Sequence, residues 1–413
     1  MLKPLINISP HHLFGFCLAI TLFELLTYMG SDMIMPAMLT VTRQLDASPS
    51  HVPFAFNLYL IGGILLQWLI GPLSDHFGRR RLLLIGCAGF ALACAAAFYV
   101  QSIFAFNSLR LIQGMGLGFV IAVSYPALQE VFCEADAVKI MALLGNVALL
   151  SPLLGPLLGS LALEWLSWRE LFLLLGIGGA MAWLGLYWFM PETVGTLRQD
   201  GQQLAAVPFE WGGTVRRYAA LLGNPPFLSA TIALGLMSLP LIAWIGLAPL
   251  LLVQSQGLST LHYGLWQIPV FAAVILGNLI LNRLIASTEL TQLIRYALWP
   301  FCGGLVALIA ITFIGASTVL LVSCLSVYAI GLGMSNAALY RLALFSSDDS
   351  KGLVSAMVGM ISIAVMGVGG SIIAALGAGD SLEAFALMAG LAGLLCLLPL
   401  RLFLRRSPIA HAA

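Results

Sequence analysis

The chain has 413 residues, 61% of them hydrophobic and only 8% charged, where an ordinary soluble domain is about a quarter charged. Such a composition excludes a soluble core, and the formal net charge of +1 says little about partners, because the distribution of charge matters more than its sum. Apolar runs of about 20 residues, enough for one bilayer crossing as a helix, recur from end to end and predict an all-α polytopic membrane protein.

Lys3 ahead of the first apolar run has the pattern of a signal peptide, but the acids inside that run and the many spans after it predict a retained first helix. That helix, near 13–36, contains FELLTYMGSDMIMP, Phe23 to Pro36, with Glu24 and Asp32 in its apolar segment. A separation of eight residues places the two acids about 12 Å apart along a helix axis and about 80° apart around it, so both can face one cavity from two levels. A carboxylate that alternates between apolar surroundings and water has a movable proton affinity, which is what coupling a proton to a solute requires. The bland alternative is an acid near a membrane surface, at a helix cap or in a structural pair, although intramembrane acids are more often functional.

Helices follow near 52–73 and 82–101, joined by the turn GPLSDHFGRR, Gly71 to Arg80. Here Gly71 and Gly78 permit a tight turn or close helix approach, Asp75 accepts backbone or arginine hydrogen bonds, and Arg79 and Arg80 supply inward-side charge. The fourth helix, near 104–128, carries Arg110, either a static counterion or a gating partner of one acid; a guanidinium stays protonated and does not carry the transported proton. The fifth, near 139–162, contains SPLLGPLLGS, Ser151 to Ser160. Gly155 and Gly159 allow close packing, and Pro152 and Pro156 weaken the backbone ladder, so the segment is a hinge or a packing seam.

A sixth helix near 169–190 precedes a polar connector, 191–225, with an amphipathic turn around Phe209 to Tyr218. Six more helices are predicted near 227–253, 262–285, 296–314, 318–343, 352–376 and 383–404. The expected organisation is twelve transmembrane helices in two pseudo-symmetric six-helix bundles, 1–190 and 226–413, joined by a cytoplasmic linker at 191–225. Lys and Arg gather on one side, from Lys3 and Arg79 to Arg81 through Arg216 and Arg217 to Arg401, Arg405 and Arg406, with Arg43 and Arg169 on the other; this bias puts both termini in the cytoplasm. GLGFVIAVSYPAL, Gly116 to Leu128, aligns with GLGMSNAALYRLA, Gly331 to Ala343. Gly116 and Gly118 meet Gly331 and Gly333, and Tyr125 meets Tyr340, as a parallel repeat would require.

A mixed solute surface is drawn from Tyr28, Phe56, Asn57, Asn146, Trp244, Tyr263, Trp266, Gln267 and Phe271, each of which could equally serve packing or the lipid boundary. Seven scattered cysteines lack zinc or disulfide spacing and read as small apolar residues.

GPLSDHFGRR, LLSPLLGPLLGS, the acidic first helix, LRLIQG and YGLWQIPVFA, Tyr263 to Ala272, together resemble the major facilitator superfamily, within it the proton-coupled drug antiporters of the MdfA-like branch. The resemblance implies the major facilitator fold, Glu24 and Asp32 in proton and drug recognition, and Arg110 in conformational coupling. It places Tyr28, Phe56, Ala148, Leu241, Ile242, Ile245, Tyr263, Gln267 and Phe271 around a drug, and the expected substrate-binding set adds Asp32, which attracts a cation, and Asn146 from the solute surface. His76 stands where that pattern commonly has Arg, Arg81 where it often has Pro, and Ser31 where it commonly has Asn.

The expected function is proton-coupled efflux of lipophilic cationic and neutral aromatic drugs across the bacterial inner membrane. Its partners are protons, small amphipathic drugs and membrane lipids, and the unit is a monomer. No metal, cofactor or nucleic acid is expected, and no nucleophile or metal cluster with enzyme-like spacing is present. The rival readings are a narrow-specificity metabolite or sugar transporter, which would need more polar side chains in its helices, and a nontransporting receptor, which would not need two coupled carboxylates.

Overall fold

A computed structural model describes residues 4–199, 201, 204, 211–284, 287–347 and 351–406; the side chains at 134–139, 141–143, 145–149, 211, 214, 351 and 352 are outside the described set. The long helices are α1 (Pro10–Gln44), α2 (His51–Phe77), α3 (Arg79–Ala97), α4 (Ile103–Val131), α5 (Glu134–Ala162), α6 (Trp168–Phe189), α7 (Pro225–Ser255), α8 (Thr260–Leu284), α9 (Leu290–Ile314), α10 (Thr318–Leu344), α11 (Lys351–Ala375) and α12 (Leu382–Arg405). Among the described residues eleven helices are long and apolar enough to cross a membrane, and α5 adds the apolar stretch Leu150–Ala162. The amphipathic turn expected in the connector is a short helix, Trp211–Leu222; Phe209 lies outside the described residues.

Local chemistry sets the helix starts. Ser9, Ser102, Ser167, Asn224, Ser317 and Ser381 each accept a backbone N–H of the first turn, meeting donors that have no partner within the helix. Ser167 and Glu170 form a reciprocal capping box at α6. Proline sets the internal irregularities. The α1 helix stops at Asp32, passes through a 3₁₀ turn, Met35–Ala37, and resumes at Met38. Pro36 stands four residues after Asp32, lacks an N–H for the Asp32 carbonyl and crowds it with its ring. Wider π-helical turns occupy Val120–Ser124 in α4 and Pro249–Ser255 in α7, next to Pro126 and at Pro249.

The chain forms two compact units, one of Met1–Ala37, Gln44–Asp46 and Leu58–Glu210, the other of Met38–Arg43, Ala47–Asn57 and Trp211–Ala413. In the first, α2 and α4 meet backbone to backbone: a Cβ on Gly114 would fall 1.9 Å from the Tyr59 carbonyl oxygen, and one on Gly118 2.6 Å from that of Gly63. In the second, α8 and α10 meet the same way, with Gly333 against the Val274 carbonyl and Gly277 against that of Ile330, at 2.2 Å each. Gly118 and Gly333, aligned in the repeat, therefore do the same packing work. Gly116 and Gly331 both face the third helix of their set, against Phe90 of α3 and Phe301 of α9.

Candidate functional site

The break in α1 organises the first unit. Carbonyls in the last turn of a helix have no intrahelical partner, and that of Gly30 accepts the Arg110 Nη1 at 2.8 Å. The same nitrogen donates to Gln113 Oε1 at 3.0 Å, and Gln113 Nε2 donates to the Ala93 carbonyl at 3.2 Å. Arg110 lies over the Tyr59 ring, 4.5 Å from its centre, with the Phe172 ring centre at 6.0 Å. Tyr59 donates its hydroxyl to the Thr27 carbonyl, and Thr27 Oγ1 donates to that of Glu24 at 2.8 Å. The chain of contacts thus meets α1 at Gly30, Thr27 and Glu24, on both sides of Tyr28 in sequence.

Arg110 is 1% exposed, and no described carboxylate lies within 4.0 Å of it. The expected counterion role is therefore not an ion pair. Aromatic faces and carbonyl oxygens stabilise this cation, and its link to Asp32 runs through the Gly30 carbonyl two residues away.

The two acids turn to different neighbours. Glu24 is wholly buried, and its Oε1 accepts the Tyr125 hydroxyl of α4 at 2.7 Å; Oε2 has no hydrogen-bond partner among the described residues. Asp32, 4% exposed, accepts Ser151 Oγ of α5 through Oδ2 at 2.9 Å. Tyr28 lies four residues from each, half-buried on their face of the helix.

Helix α5, expected to be a hinge or a packing seam at this segment, is one continuous helix through Pro152 and Pro156, and the break lies in α1 opposite. Gly155 and Gly159 make that juxtaposition possible. A Cβ on Gly155 would sit 2.7 Å from Asp32 Cβ, and one on Gly159 2.1 Å from the Met33 carbonyl oxygen. Two features legible separately in the sequence, the acid and the small-residue pair, are thus one contact.

A second polar cluster closes the far end of the unit. Arg79 pairs with Asp75 at 2.5 Å and with Glu130 at 2.8 Å, and its Nη1 donates to Ser74 Oγ at 2.5 Å. Thr193 Oγ1 donates to Glu130 Oε2 at 2.5 Å. The Glu192 carboxylate accepts the backbone N–H groups of Arg79 at 2.9 Å and Arg80 at 3.3 Å, placing a negative charge at the N-terminus of α3, where the helix dipole favours it. Gly78, at φ +100, lets the carboxylate in; a Cβ there would lie 2.3 Å from Glu192 Oε2. Gly71 does not make the close approach expected of it: among the described residues no heavy atom lies within 4 Å of its Cβ direction. Arg80 donates to the Tyr187 carbonyl, while His76 and Arg81 are exposed.

In the second unit Tyr263, Gln267 and Phe271 follow one face of α8 at four-residue intervals, all buried. Neither amide atom of Gln267 bonds to a described residue. Phe56 and Ile245 are buried, and Leu241 and Ile242 half-buried. Two residues drawn into the solute surface have structural occupations: Asn57 donates to Ser371 Oγ at 2.9 Å, and Trp244 packs its ring 5.7 Å from that of Phe385. Trp266 is half-buried. The side chains of Asn146 and Ala148 lie outside the described residues. Among the described residues no three His, Cys, Asp or Glu side chains converge as a metal-binding group.

Sequence reasoning missed Tyr59, Gln113, Ser151, Glu130 and Glu192, and gave Tyr125 only a repeat match. The partners of Tyr59, Ser151, Glu130 and Glu192 come from other helices, so spacing along the chain carried no signal for them; Gln113 stands three residues after Arg110 in α4, a helical spacing that did carry one. Pro36 did carry one, since its distance from Asp32 marks the break.

Buried acids and a buried arginine inside a bundle of long apolar helices define a polytopic membrane carrier. The chain belongs to the major facilitator superfamily, whose model, described as Major Facilitator Superfamily, matches residues 20–351. It is 44% identical over 400 residues to the "Multidrug transporter MdfA" of Yersinia pestis bv. Antiqua (strain Angola), covering 96% of this chain and 95% of that one. It is 43% identical over 380 residues to the protein of the same description from Edwardsiella ictaluri (strain 93-146), covering 91% of each. Among solved structures, the partially occluded inward-open xylose transporter XylE from E. coli superposes with a TM-score of 0.72 at 17% identity, over 94% of this chain and 97% of that one. A bacterial homologue of the human lysosomal transporter Spinster gives 0.72 at 11% identity, over 98% of each. At these identities the structural likeness carries the fold alone.

Proposed function

We propose that the chain is a proton-coupled multidrug exporter of the bacterial inner membrane, exchanging protons for lipophilic cationic and neutral aromatic drugs. Relatives described as multidrug transporters match it at 43–44% identity along nearly its whole length. It is a secondary active transporter and not an enzyme. The observation that carries the coupling mechanism is the position of Asp32: a buried carboxylate at a helix break, held by Ser151 and pressed against Gly155.

In this reading twelve membrane helices form two six-helix bundles, 1–190 and 226–413, with a cytoplasmic connector at 191–225, both termini in the cytoplasm and the monomer as the working unit. Tyr28, Asp32, Phe56, Asn146, Ala148, Leu241, Ile242, Ile245, Tyr263, Gln267 and Phe271 contact the drug. A cationic drug binds while Asp32 is ionised. Proton uptake at Asp32 or Glu24 in the outward-open state removes that attraction and favours release. Proton loss to the cytoplasm restores the charge and resets the carrier. Ser151 and Tyr125 can donate to the ionised acids and accept from the protonated ones, so each hydroxyl serves both states. Arg110 holds the geometry of the helix break, and the Asp75, Arg79, Glu130 and Glu192 cluster steadies one conformational state.

Drug accumulation in inverted membrane vesicles under an imposed proton gradient tests the reading, with one cationic and one neutral drug and with xylose as a sugar control. Drug accumulation should collapse with the gradient and should be lost for the cationic drug in Asp32→Asn. Accumulation that survives collapse of the gradient, or transport of the sugar in place of the drugs, overturns it.

A further inference from the structure

The second unit contains a groove of about 610 Å³ between the first turns of α9 and the last turns of α12. Three arginines, Arg295, Arg401 and Arg405, and four leucines line it, with no carboxylate among them. None of the three arginines has an ion-pair partner within 4.0 Å among the described residues. Glu289, which opens α9, makes no such pair either.

The residues are ordered by depth. On α12 the chain meets Leu397 and Leu400, then Arg401, then Leu404 and Arg405 in the final turn. On α9, which starts at this end, Arg295 comes before Leu298. The arginines therefore lie nearer the helix ends and most of the leucine surface lies further in. Arg401 and Arg405 are four residues apart and stack along one helix face, and both are exposed, as is Arg295. Leu400, 1% exposed, is fixed in the packing beneath them.

An unspecialised positive flank would scatter its charges on separate helix ends. Here cations from two helices distant in sequence converge on one amphipathic groove whose charged end sits outermost. Guanidinium groups bind phosphate oxygens in paired hydrogen bonds, and basic pockets between membrane helices receive acidic lipid headgroups. We propose that this groove binds an anionic diacyl phospholipid, with the phosphate on Arg295, Arg401 and Arg405 and the acyl chains along the leucines. A soluble phosphate would meet the same arginines but would leave the leucine wall without a partner, so the lipid is the occupant that fits the whole groove.

The test is lipid retention, and it does not depend on drug transport. The purified full chain is equilibrated with phosphatidylglycerol and phosphatidylethanolamine in defined mixed micelles, and bound lipid is counted by native mass spectrometry. At about a fivefold effect per arginine near the membrane surface, the wild type should prefer the anionic lipid by about a hundredfold. R295Q, R401Q and R405Q should each lose about fivefold and the triple variant nearly all of the preference. Arg216→Gln with Arg217→Gln serves as the comparison, since it removes two basic residues elsewhere and should leave retention unchanged. Circular dichroism and thermal melting confirm that each variant is folded, and the graded single variants give the result if the triple does not fold. Unchanged anionic-lipid retention in the single and triple variants overturns the proposal. So does equal displacement of the lipid by inorganic phosphate at matched headgroup concentration, which would reassign the site to a free anion.

Discussion

Replacing Gly159 with alanine puts a methyl group 2.1 Å from the Met33 carbonyl oxygen, where ordinary contact begins at 3.4 Å. The obstacle is backbone, so no side-chain rotation relieves it, and α1 and α5 must move apart at the helix break. Overpacking of this kind costs about 1–3 kcal/mol. The same displacement stretches the Ser151 to Asp32 hydrogen bond from 2.9 Å, and losing a bond to a charged group adds about 1.5–3 kcal/mol. Gly159→Ala should therefore lower the melting temperature of the purified protein and reduce proton-driven drug accumulation in inverted vesicles by more than tenfold. Gly155→Ala meets the Asp32 side chain at 2.7 Å and should act in the same direction. Gly89→Ala, where no heavy atom of the described residues lies within 4 Å of the new methyl, should match the wild type in both assays. Wild-type transport and melting in Gly159→Ala would refute the claim that this contact positions Asp32.

Tyr125→Phe removes the hydroxyl that Glu24 Oε1 accepts and leaves neither carboxylate oxygen with a hydrogen-bond partner among the described residues, so it should alter transport of cationic drugs as Glu24→Gln does; in a double-mutant cycle the two changes should be strongly non-additive. Arg110→Lys keeps the charge but loses the planar group that lies over Tyr59 and reaches Gly30 and Gln113. It should abolish most transport while the protein still reaches the membrane, as judged by immunoblot of membrane fractions. Glu192→Gln removes the carboxylate charge at the start of α3 and should destabilise the purified protein by about 1 kcal/mol in a denaturant titration. Gln267→Leu removes a buried amide that bonds to no described residue; drug affinity measured by fluorescence quenching should fall about threefold to tenfold, with melting unchanged or raised.

The sequence made most of the fold legible because in a bilayer every backbone polar group must be satisfied within the helix, so apolar run length alone locates the helices. Charge made the acids and Arg110 legible for the complementary reason: any ionised group in that setting stands out. Their partners were not legible. Ser151, Tyr125 and Tyr59 are uncharged and common, and what distinguishes them is which helix they face. Glu192 shows the limit most clearly. Read along the chain it is one charge in a polar connector, yet in space it supplies the carboxylate at the start of α3, and Gly78 is required because that carboxylate occupies the place of a side chain.

The acid and the break coincide at the end of the first α1 segment. A straight α1 would carry the Asp32 and Gly30 carbonyls inside its own ladder, with no free acceptor for a guanidinium. Pro36 ends the ladder at Asp32, freeing an acceptor one half-turn before the acid, and Arg110 takes it. The buried cation is thereby held near Asp32 by the backbone and not by the carboxylate. That separation lets Asp32 gain or lose a proton without dismantling the site of Arg110, whereas a direct ion pair would tie the arginine's only anion to the proton being moved. Under the proposed coupling, Arg110 keeps its Gly30 contact in both protonation states of Asp32, and the contact that responds is the one from Ser151 of α5, beside the Gly155 and Gly159 seam.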